Sequence, residues 1–210
     1  MSLRVKKNVK KYELIYKKGQ NHFYPNLDLV RIQKSFLKNN IGKTLDYGFG
    51  SGENLVFLNN EGHEIYGLET SITALKITKK KIKNKILKSN LKILKDSDKL
   101  NFKENFFDNI ICLSVFSQLK NKKNAIHLLK EFNRILKING ILIIDINGPK
   151  SENFYKKKDF FSLKNKKEFL NILKKNNFEI INHGEVYKSY LNIKDHEFLA
   201  IAKKIKIFDK

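Results

Sequence analysis

Several residue types are scarce in this sequence, and each scarcity excludes a class of protein. The 210 residues include one cysteine, two prolines and no tryptophan. A lone Cys112 excludes an internal disulfide framework, and its apolar flanks at 110, 111 and 113 predict a buried strand. Two prolines exclude a proline-rich linker, and no apolar run approaches the roughly 18 residues of a spanning helix. We therefore expect a soluble, cytoplasmic protein with no membrane span.

Lysine, in contrast, is abundant, and the formal net charge is +22. A field of this size attracts nucleic acids and anionic membranes whatever the fold. Only Arg4, Arg31 and Arg134 are arginines, however, and asparagine and isoleucine are also frequent, which is the pattern of AT-rich codons. A dedicated nucleic-acid surface would normally use arginine for bidentate contacts to phosphate and guanine. We interpret the charge as genome bias and keep an RNA-modifying or nucleic-acid-binding protein as the alternative.

The hydrophobic pattern alternates between strands and helices along the chain. Hydrophobic residues make up 41% of the sequence, which is enough for one domain with its own core. The alternation predicts a single doubly wound, Rossmann-like α/β domain. In the lysine-rich residues 1–20 we expect a mobile end that becomes a helix or lid nearer the domain. The predicted strands are 43–48, 63–69, 91–95, 108–114 and 140–146, with β segments at 178–187 and 197–207, and the predicted helices are 27–39, 53–60, 71–87, 123–137 and 163–176.

The most informative segment is the strand-to-helix turn LDYGFGSGEN at 45–54. Its spacing is G-x-G-x-G, and Glu53 stands where a dinucleotide fingerprint needs its third glycine. Asp46 and Glu53 place carboxylates where a pyrophosphate needs positive potential, so they favour a cationic ligand over a phosphate. Glu69 follows Gly52 by 17 residues, close to the distance at which an acidic side chain binds ribose hydroxyls. A ligand with a ribose, an amine and a sulfonium but no phosphate fits, which indicates S-adenosylmethionine rather than a mere tight turn.

From Thr44 to about Ile146 the chain resembles a class I S-adenosylmethionine-dependent methyltransferase of the small-molecule type. LDYGFGSGEN is similar to the family's motif I, and EIYGLETS to its acidic motif II. KDSDKLNFKENFFDNIICLSVFSQL is similar to its D-A-x-x-L-P-F-x-x-x-x-F-D segment, and EFNRILKINGILIIDIN to its E-x-x-R-v-L-k-p-G-G segment. The resemblance implies a mostly parallel seven-stranded sheet with an antiparallel C-terminal hairpin. We expect a bacterial methyltransferase in which residues 1–40 form a lid or helix segment and residues 41–210 bind the cofactor.

The resemblance also implies roles for residues of the first two motifs. The backbone around Gly48 and Gly50 should face the methionyl part of the cofactor. Asp46 should reach the cofactor's ammonium, directly or through water, and Glu69 should hold the ribose hydroxyls.

Three further residues receive implied roles at the ends of later strands. Asp96 should accept from the adenine amine while the backbone of Ser97 donates to the ring, although this pair also fits an ordinary turn. Ser114 should border the transferred methyl group, unless it is a plain strand end. The implied cofactor-binding set is Asp46, Gly48, Gly50, Gly52, Glu69, Asp96, Ser97 and Ser114.

The acceptor is indicated mainly by motifs that the sequence does not contain. It has neither the D/N-P-P-Y motif of base methyltransferases nor the Pro-Cys nucleophile of five-methylcytosine enzymes. The run 113–115 is Leu-Ser-Val where metal-dependent relatives cluster acids, so we expect no metal. Direct transfer to an O, N or C atom of a small molecule or glycan precursor remains. A cofactor-binding protein without catalysis is a third interpretation.

Candidates for proton removal come from the N-terminal segment. Relatives often carry a Glu-His pair where this chain has Ser117 and Gln118, so the histidine most easily assigned as a base is missing. His22 lies in a loop before the core, where the family builds its lid, and is either a base or an ordinary loop histidine. Tyr16 and Tyr24 are candidates to contact cofactor or substrate. The predicted catalytic residues are His22 and Tyr24.

Overall fold

One mixed sheet organises the part of the chain that the structure describes. The computed structural model describes residues 6–94, 99–151, 161, 163–190 and 193–206. The strands are β1 (Lys43–Tyr47), β2 (Glu64–Glu69), β3 (Leu91–Ile93), β4 (Phe107–Cys112), β5 (Leu136–Asn147), β6 (Phe178–Tyr190) and β7 (Ile193–Lys204). Among the described residues they form a seven-stranded sheet in the order β3-β2-β1-β4-β5-β7-β6, with β1 to β5 parallel and β7 antiparallel to both neighbours. This confirms the predicted fold class.

Helices cover the sheet and precede it. They are α1 (Lys6–Lys17), α2 (Leu27–Ile32), α3 (Glu53–Asn60), α4 (Ile72–Lys81), α5 (Lys85–Ser89), α6 (Lys122–Ile135) and α7 (Lys166–Lys175). A π-helical turn, Gln33–Leu37, continues α2, and the side chain of Asn26 caps α2. Within the described ranges, no helix is both long and apolar enough to cross a membrane.

The helix predicted over 71–87 is in fact two helices. Ile82 has extended backbone angles and a buried side chain, so α4 ends at Lys81 and the chain turns inward. The side chain of Asn84 then accepts a hydrogen bond from the backbone N–H of Leu87, which starts α5. The lysine-rich sequence hides this break, because Lys79, Lys80 and Lys81 continue a plausible helix up to the point where Ile82 joins the core.

The sheet is apolar on both faces, which explains the continuous hydrophobic runs in its strands. In β4, Ile110 and Cys112 join the apolar cluster that contains Phe132 of α6, whereas Ile111 joins the cluster that contains Leu55 of α3. Neighbouring residues of a strand point to opposite faces, so a strand covered on both sides is apolar throughout. Cys112 is fully buried, as its flanks predicted.

Helix α1 is attached to the start of α4 by one carboxylate. Glu13 accepts hydrogen bonds of 2.6 Å from the hydroxyls of Ser71 and Thr73, and one of 3.3 Å from the backbone N–H of Thr73. Burial disfavours the charged form, but these hydrogen bonds and the nearby Lys17 outweigh it and lower the pKa of Glu13 to about 2. The favourable end of the α4 dipole faces the same carboxylate.

We expect Glu13→Gln to lower the melting temperature more at pH 7 than at pH 3. Folding lowers the pKa of Glu13 from 4.5 to about 2, so its stabilisation is complete above about pH 4.5 and is lost as the pH falls towards 2. Thermal melts at both pH values measure the difference. Glu179→Gln is the control, since that side chain on β6 is 55% exposed. If Glu13→Gln had an equal effect at both pH values, the attachment of α1 to α4 would not depend on the charge of Glu13.

Candidate active site

A cavity of about 730 Å³ opens at the carboxyl ends of β1, β2 and β4. Parallel strands end at one edge of the sheet, where open α/β sheets bind their ligands. Asp46, Glu69 and Ser114 line the cavity from these three strand ends. Its other walls come from α1, from parts of the 20–31 segment and from residues 186–188 of β6. The site therefore combines the motif region with both ends of the chain.

The glycine turn after β1 brings bare backbone against the cavity. Gly50 has a φ of +56°, and a Cβ placed there would lie 2.6 Å from the hydroxyl oxygen of Tyr16 on α1. A side chain at Gly50 would therefore collide with the Tyr16 hydroxyl unless Tyr16 moved away. Gly52, with a φ of +83°, is instead the residue from which α3 begins, and a Cβ on it would overlap the side chain of Thr78. Gly52 is not among the residues that line the cavity.

Asp46 holds a buried oxygen atom without a hydrogen-bond partner. The residue is 3% exposed, and its Oδ2 has no partner among the described residues. Burial, together with the negative charges of Glu53 and Glu69, raises the pKa of Asp46 well above its usual value. A ligand cation beside Oδ2 would satisfy the oxygen and reverse this shift. The site thus fits a ligand ammonium, which is the group that S-adenosylmethionine would bring.

Glu69 fixes the turn and keeps one acceptor position towards the cavity. Its Oε2 accepts from the backbone N–H of Gly50 at 3.0 Å. Its Oε1 accepts from the backbone N–H groups of Thr70 and Ser71, at 2.6 and 3.0 Å, and from the Thr70 hydroxyl at 3.0 Å. A carboxylate oxygen has about two lone-pair positions, so Oε1 is saturated and Oε2 has one left. A ribose hydroxyl would find its acceptor at Oε2.

Ser114 is held in a strained conformation by the neighbouring strand. Its φ is +58°, and its backbone N–H donates to Oδ1 of Asp145 on β5 at 2.7 Å. Burial and the nearby charge of Glu197 raise the pKa of Asp145. A left-handed serine is uncommon and needs surrounding contacts to persist. Asp145 of β5 therefore fixes the backbone of Ser114 where it borders the cavity, and a role of Ser114 beside the transferred methyl group remains a prediction.

His22 and Tyr24 lie on the cavity wall formed by the 20–26 segment. The backbone N–H of His22 donates to the hydroxyl of Ser51 in the glycine turn at 3.0 Å. The ring Nε2 of His22 lies 2.8 Å from the side-chain nitrogen of Gln20. Tyr24 is 85% exposed, which places it at the rim. Their catalytic roles remain predictions.

Two of the predicted site residues are not described by the structure, and several residues that were not predicted line the cavity. Asp96 and Ser97 lie outside the described residues. In the ranges that the structure describes, no three His, Cys, Asp or Glu side chains are grouped so that they could hold a metal ion. Sequence reasoning missed cavity residues that no local motif marks, because they reach the site through the fold: Tyr12, Asp28, Arg31 and Lys188. Gln118 also lines the cavity, and the sequence marked it only as a position where relatives carry a Glu-His pair.

The central part of the chain matches a known protein family. Residues 45–144 match the family described as Methyltransferase domain. A protein of Methanocaldococcus jannaschii, MJ1252, whose description assigns no function, is 32% identical over 146 residues, covering 68% of this chain and 53% of that protein. The chain spans about half the length of the curated relatives it matches, 53% and 43%. Since an archaeal protein is among these relatives, a bacterial origin remains a prediction.

Solved structures share the fold over most of the chain. A SAM-dependent methyltransferase of Methanosarcina mazei superposes with a TM-score of 0.64 at 18% identity, covering 78% of this chain and 92% of that one. A second solved structure, whose description concerns the conversion of a disulfide bond into a thioacetal group during echinomycin biosynthesis, superposes with a TM-score of 0.71 at 16% identity. The match covers 94% of this chain and 93% of that one. At these identities the likeness concerns the fold alone.

We expect Gly52→Ala to destabilise the protein more than Gly19→Ala. Both glycines have left-handed backbones, with φ of +83° and +96°, so each alanine costs about 1–2 kcal/mol of backbone strain. A Cβ on Gly52 also overlaps Thr78, whereas one on Gly19 meets no atom within 4 Å. Denaturant titration gives the free energy of unfolding of both variants. Equal losses would mean that α3 and α4 do not pack at Gly52 as described.

Proposed function

Since the chain belongs to the class I S-adenosylmethionine-dependent methyltransferases, we propose that it transfers the cofactor's methyl group to an O, N or C atom of a small molecule or glycan precursor. S-adenosylmethionine carries its methyl group on a sulfonium. Transfer of that methyl group releases a neutral thioether, which is a good leaving group. The protein therefore has to position the acceptor, exclude water and remove at most one proton.

The charge of the cavity is the observation that carries the choice of a small acceptor. The chain has a formal net charge of +22. Among the described residues, the cavity walls nevertheless have more acidic than basic side chains: Asp28, Asp46, Glu53 and Glu69 against Arg31 and Lys188. The negative charges of Glu53 and Glu69 attract a cationic cofactor, whereas they repel the phosphates of a nucleic acid at the point where transfer would occur. The basic surface outside the cavity keeps an RNA acceptor as the alternative.

Two polar groups of the cofactor, its ammonium and its ribose hydroxyls, would each find an acceptor atom that the described residues leave available. Asp46 would accept from the ammonium through Oδ2, and Glu69 would accept from a ribose hydroxyl through the lone pair left on Oε2. The bare Cα of Gly50 would allow the methionyl chain to approach the turn. Tyr12 and Tyr16 on α1 line the same cavity, so α1 would exclude water from the transfer site.

His22 would remove the proton where the acceptor needs it. Gln20 donates from its amide to Nε2 of His22, which makes Nε2 the acceptor and leaves the ring proton on Nδ1. Nε2 would therefore have to leave Gln20 before it could take a proton from the acceptor. Tyr24 at the rim would contact the acceptor rather than the buried part of the cofactor.

A thermal-shift comparison of four ligands tests the cofactor and the charge argument together. A ligand at about 100 times its dissociation constant stabilises the native state by about 2.7 kcal/mol. For a domain of this size this corresponds to roughly 5–10 °C, which we expect with S-adenosylhomocysteine. NAD and NADP should give almost no shift, because their pyrophosphate would face Asp46 and Glu53.

Heparin is the fourth ligand and the control for non-specific binding. Any shift that it causes should disappear in added salt, whereas the shift with S-adenosylhomocysteine should persist. A salt-resistant shift with NAD or NADP and none with S-adenosylhomocysteine would overturn the proposal. Transfer of a labelled methyl group to RNA, but not to the small-molecule fraction of a cell extract, would favour the alternative.

We further expect binding of S-adenosylhomocysteine to release a proton from Asp46. Its pKa is raised in the free protein, and a ligand ammonium beside Oδ2 should lower it. Affinity should therefore fall as the pH drops below the raised pKa of the free protein. Calorimetry in two buffers of different ionisation enthalpy measures the released proton.

Asp46→Asn should abolish this proton release and weaken binding about tenfold or more. Asp28→Asn is the matched control, because Asp28 also lines the cavity but is paired with Arg31 at 3.2 Å. Proton release that survives in Asp46→Asn would assign it to another group.

A further inference from the structure

Two residues of the cavity wall bury an oxygen atom that lacks a hydrogen-bond partner in the described structure. They are Asp46, through Oδ2, and Gln118, through Oε1. Buried polar atoms are nearly always paired, so an unpaired one in a ligand cavity indicates where a ligand supplies the partner. Asp46 is accounted for by the cofactor's ammonium. The proposed function does not supply a partner for Oε1 of Gln118.

The backbone that carries Gln118 is fixed on both sides. The residue ends a short 3₁₀ turn, Phe116–Gln118, and its own N–H donates to the carbonyl of Val115 at 2.8 Å. The hydroxyl of Ser117 accepts from the backbone N–H of Asn147 at the end of β5. Ser117 and Leu119 are both buried, at 2% and 0% exposure. The side chain of Gln118 is therefore presented to the cavity from a rigid base.

Gln118 lies on the side of the cavity away from the cofactor carboxylates. Asp46 and Glu69 end β1 and β2, which lie on one side of β4 in the sheet. The turn of Gln118 follows β4 and is tied to β5, which lies on the other side. Lys188 of β6 lines the cavity beyond that strand. A partner for Gln118 should thus come from the second substrate.

We propose that Gln118 determines acceptor specificity by accepting, through Oε1, a hydrogen bond from an N–H or O–H group of the methyl acceptor. This inference rests on the proposed function, since it needs an acceptor bound beside the cofactor. An amide oxygen only accepts hydrogen bonds, so it cannot form one with a carboxylate, a phosphate, an ether or a tertiary amide, none of which has a proton to donate. The acceptor class is therefore a neutral or cationic small molecule with a free N–H or O–H group near the methylated atom.

Comparison of two glutamine substitutions tests whether Gln118 is unpaired without ligand. Gln118→Met keeps the length of the side chain and removes the unpaired oxygen, so it should raise the melting temperature of the ligand-free protein by about 2–4 °C. Gln33→Met is the matched control, because Oε1 of Gln33 accepts from the ring of His63 at 3.1 Å. That substitution should lower the melting temperature. A fall with Gln118→Met would overturn the proposal.

Matched probes then test which ligand Gln118 serves. The probes are phenol against anisole, and imidazole against 1-methylimidazole, added to protein saturated with S-adenosylhomocysteine and measured by ligand-observed NMR. Wild type should prefer the member with the free O–H or N–H about fivefold, as one neutral hydrogen bond provides, and Gln118→Met should lose this preference. No preference in wild type, including no binding of either member, would overturn the proposal, as would a preference that survives in Gln118→Met.

The affinity for S-adenosylhomocysteine separates this inference from the proposed function. It should be the same in wild type and Gln118→Met, because the cofactor carboxylates are untouched. A tenfold loss in the variant would place Gln118 in the cofactor site and overturn the acceptor assignment. Failure of wild type itself to bind S-adenosylhomocysteine would instead overturn the proposed function.

Discussion

The hydrogen bond from the backbone N–H of Gly50 to the carboxylate of Glu69 is the constraint on which the site depends. It joins the turn after β1 to the end of β2 and so fixes the glycines relative to the acid that ends the next strand. The same carboxylate accepts from Thr70 and Ser71, which sets the start of α4. One side chain therefore orients two strand ends and one helix, and the same residue lines the cavity.

This arrangement places three acidic side chains close together in a chain that is otherwise strongly basic. Asp46, Glu53 and Glu69 lie close enough for the last two to raise the pKa of the first. Such a cluster costs free energy in the ligand-free protein, because buried like charges repel and are poorly solvated. A cation removes both penalties at once. The excess of lysine elsewhere contributes to the field around the molecule but does not neutralise the buried acids.

The parts of the site that the sequence predicts are those built from consecutive residues. The strand, turn and helix at 43–60 follow from the glycine spacing and the apolar pattern, and their boundaries differ from the structure by a residue or less. Lys188 carries no local signal, because only the strand order brings it to the cavity, and the sequence marks Gln118 only as a position where relatives carry a Glu-His pair. Ile82 illustrates a different limit: its burial, which depends on tertiary packing, ends a helix that local propensity would continue.

The N-terminal helix joins the same network through Ser71. The backbone N–H of Ser71 donates to Glu69, and its hydroxyl donates to Glu13 of α1. A chain of hydrogen bonds thus runs from Gly50 through Glu69 and Ser71 to Glu13. Tyr16 of the same helix lies against Gly50, since a Cβ on that glycine would be 2.6 Å from the Tyr16 hydroxyl oxygen. The position of α1 beside the cavity and the shape of the glycine turn are therefore linked through Glu69 and Ser71. A residue outside the methyltransferase motifs therefore takes part in shaping the cavity.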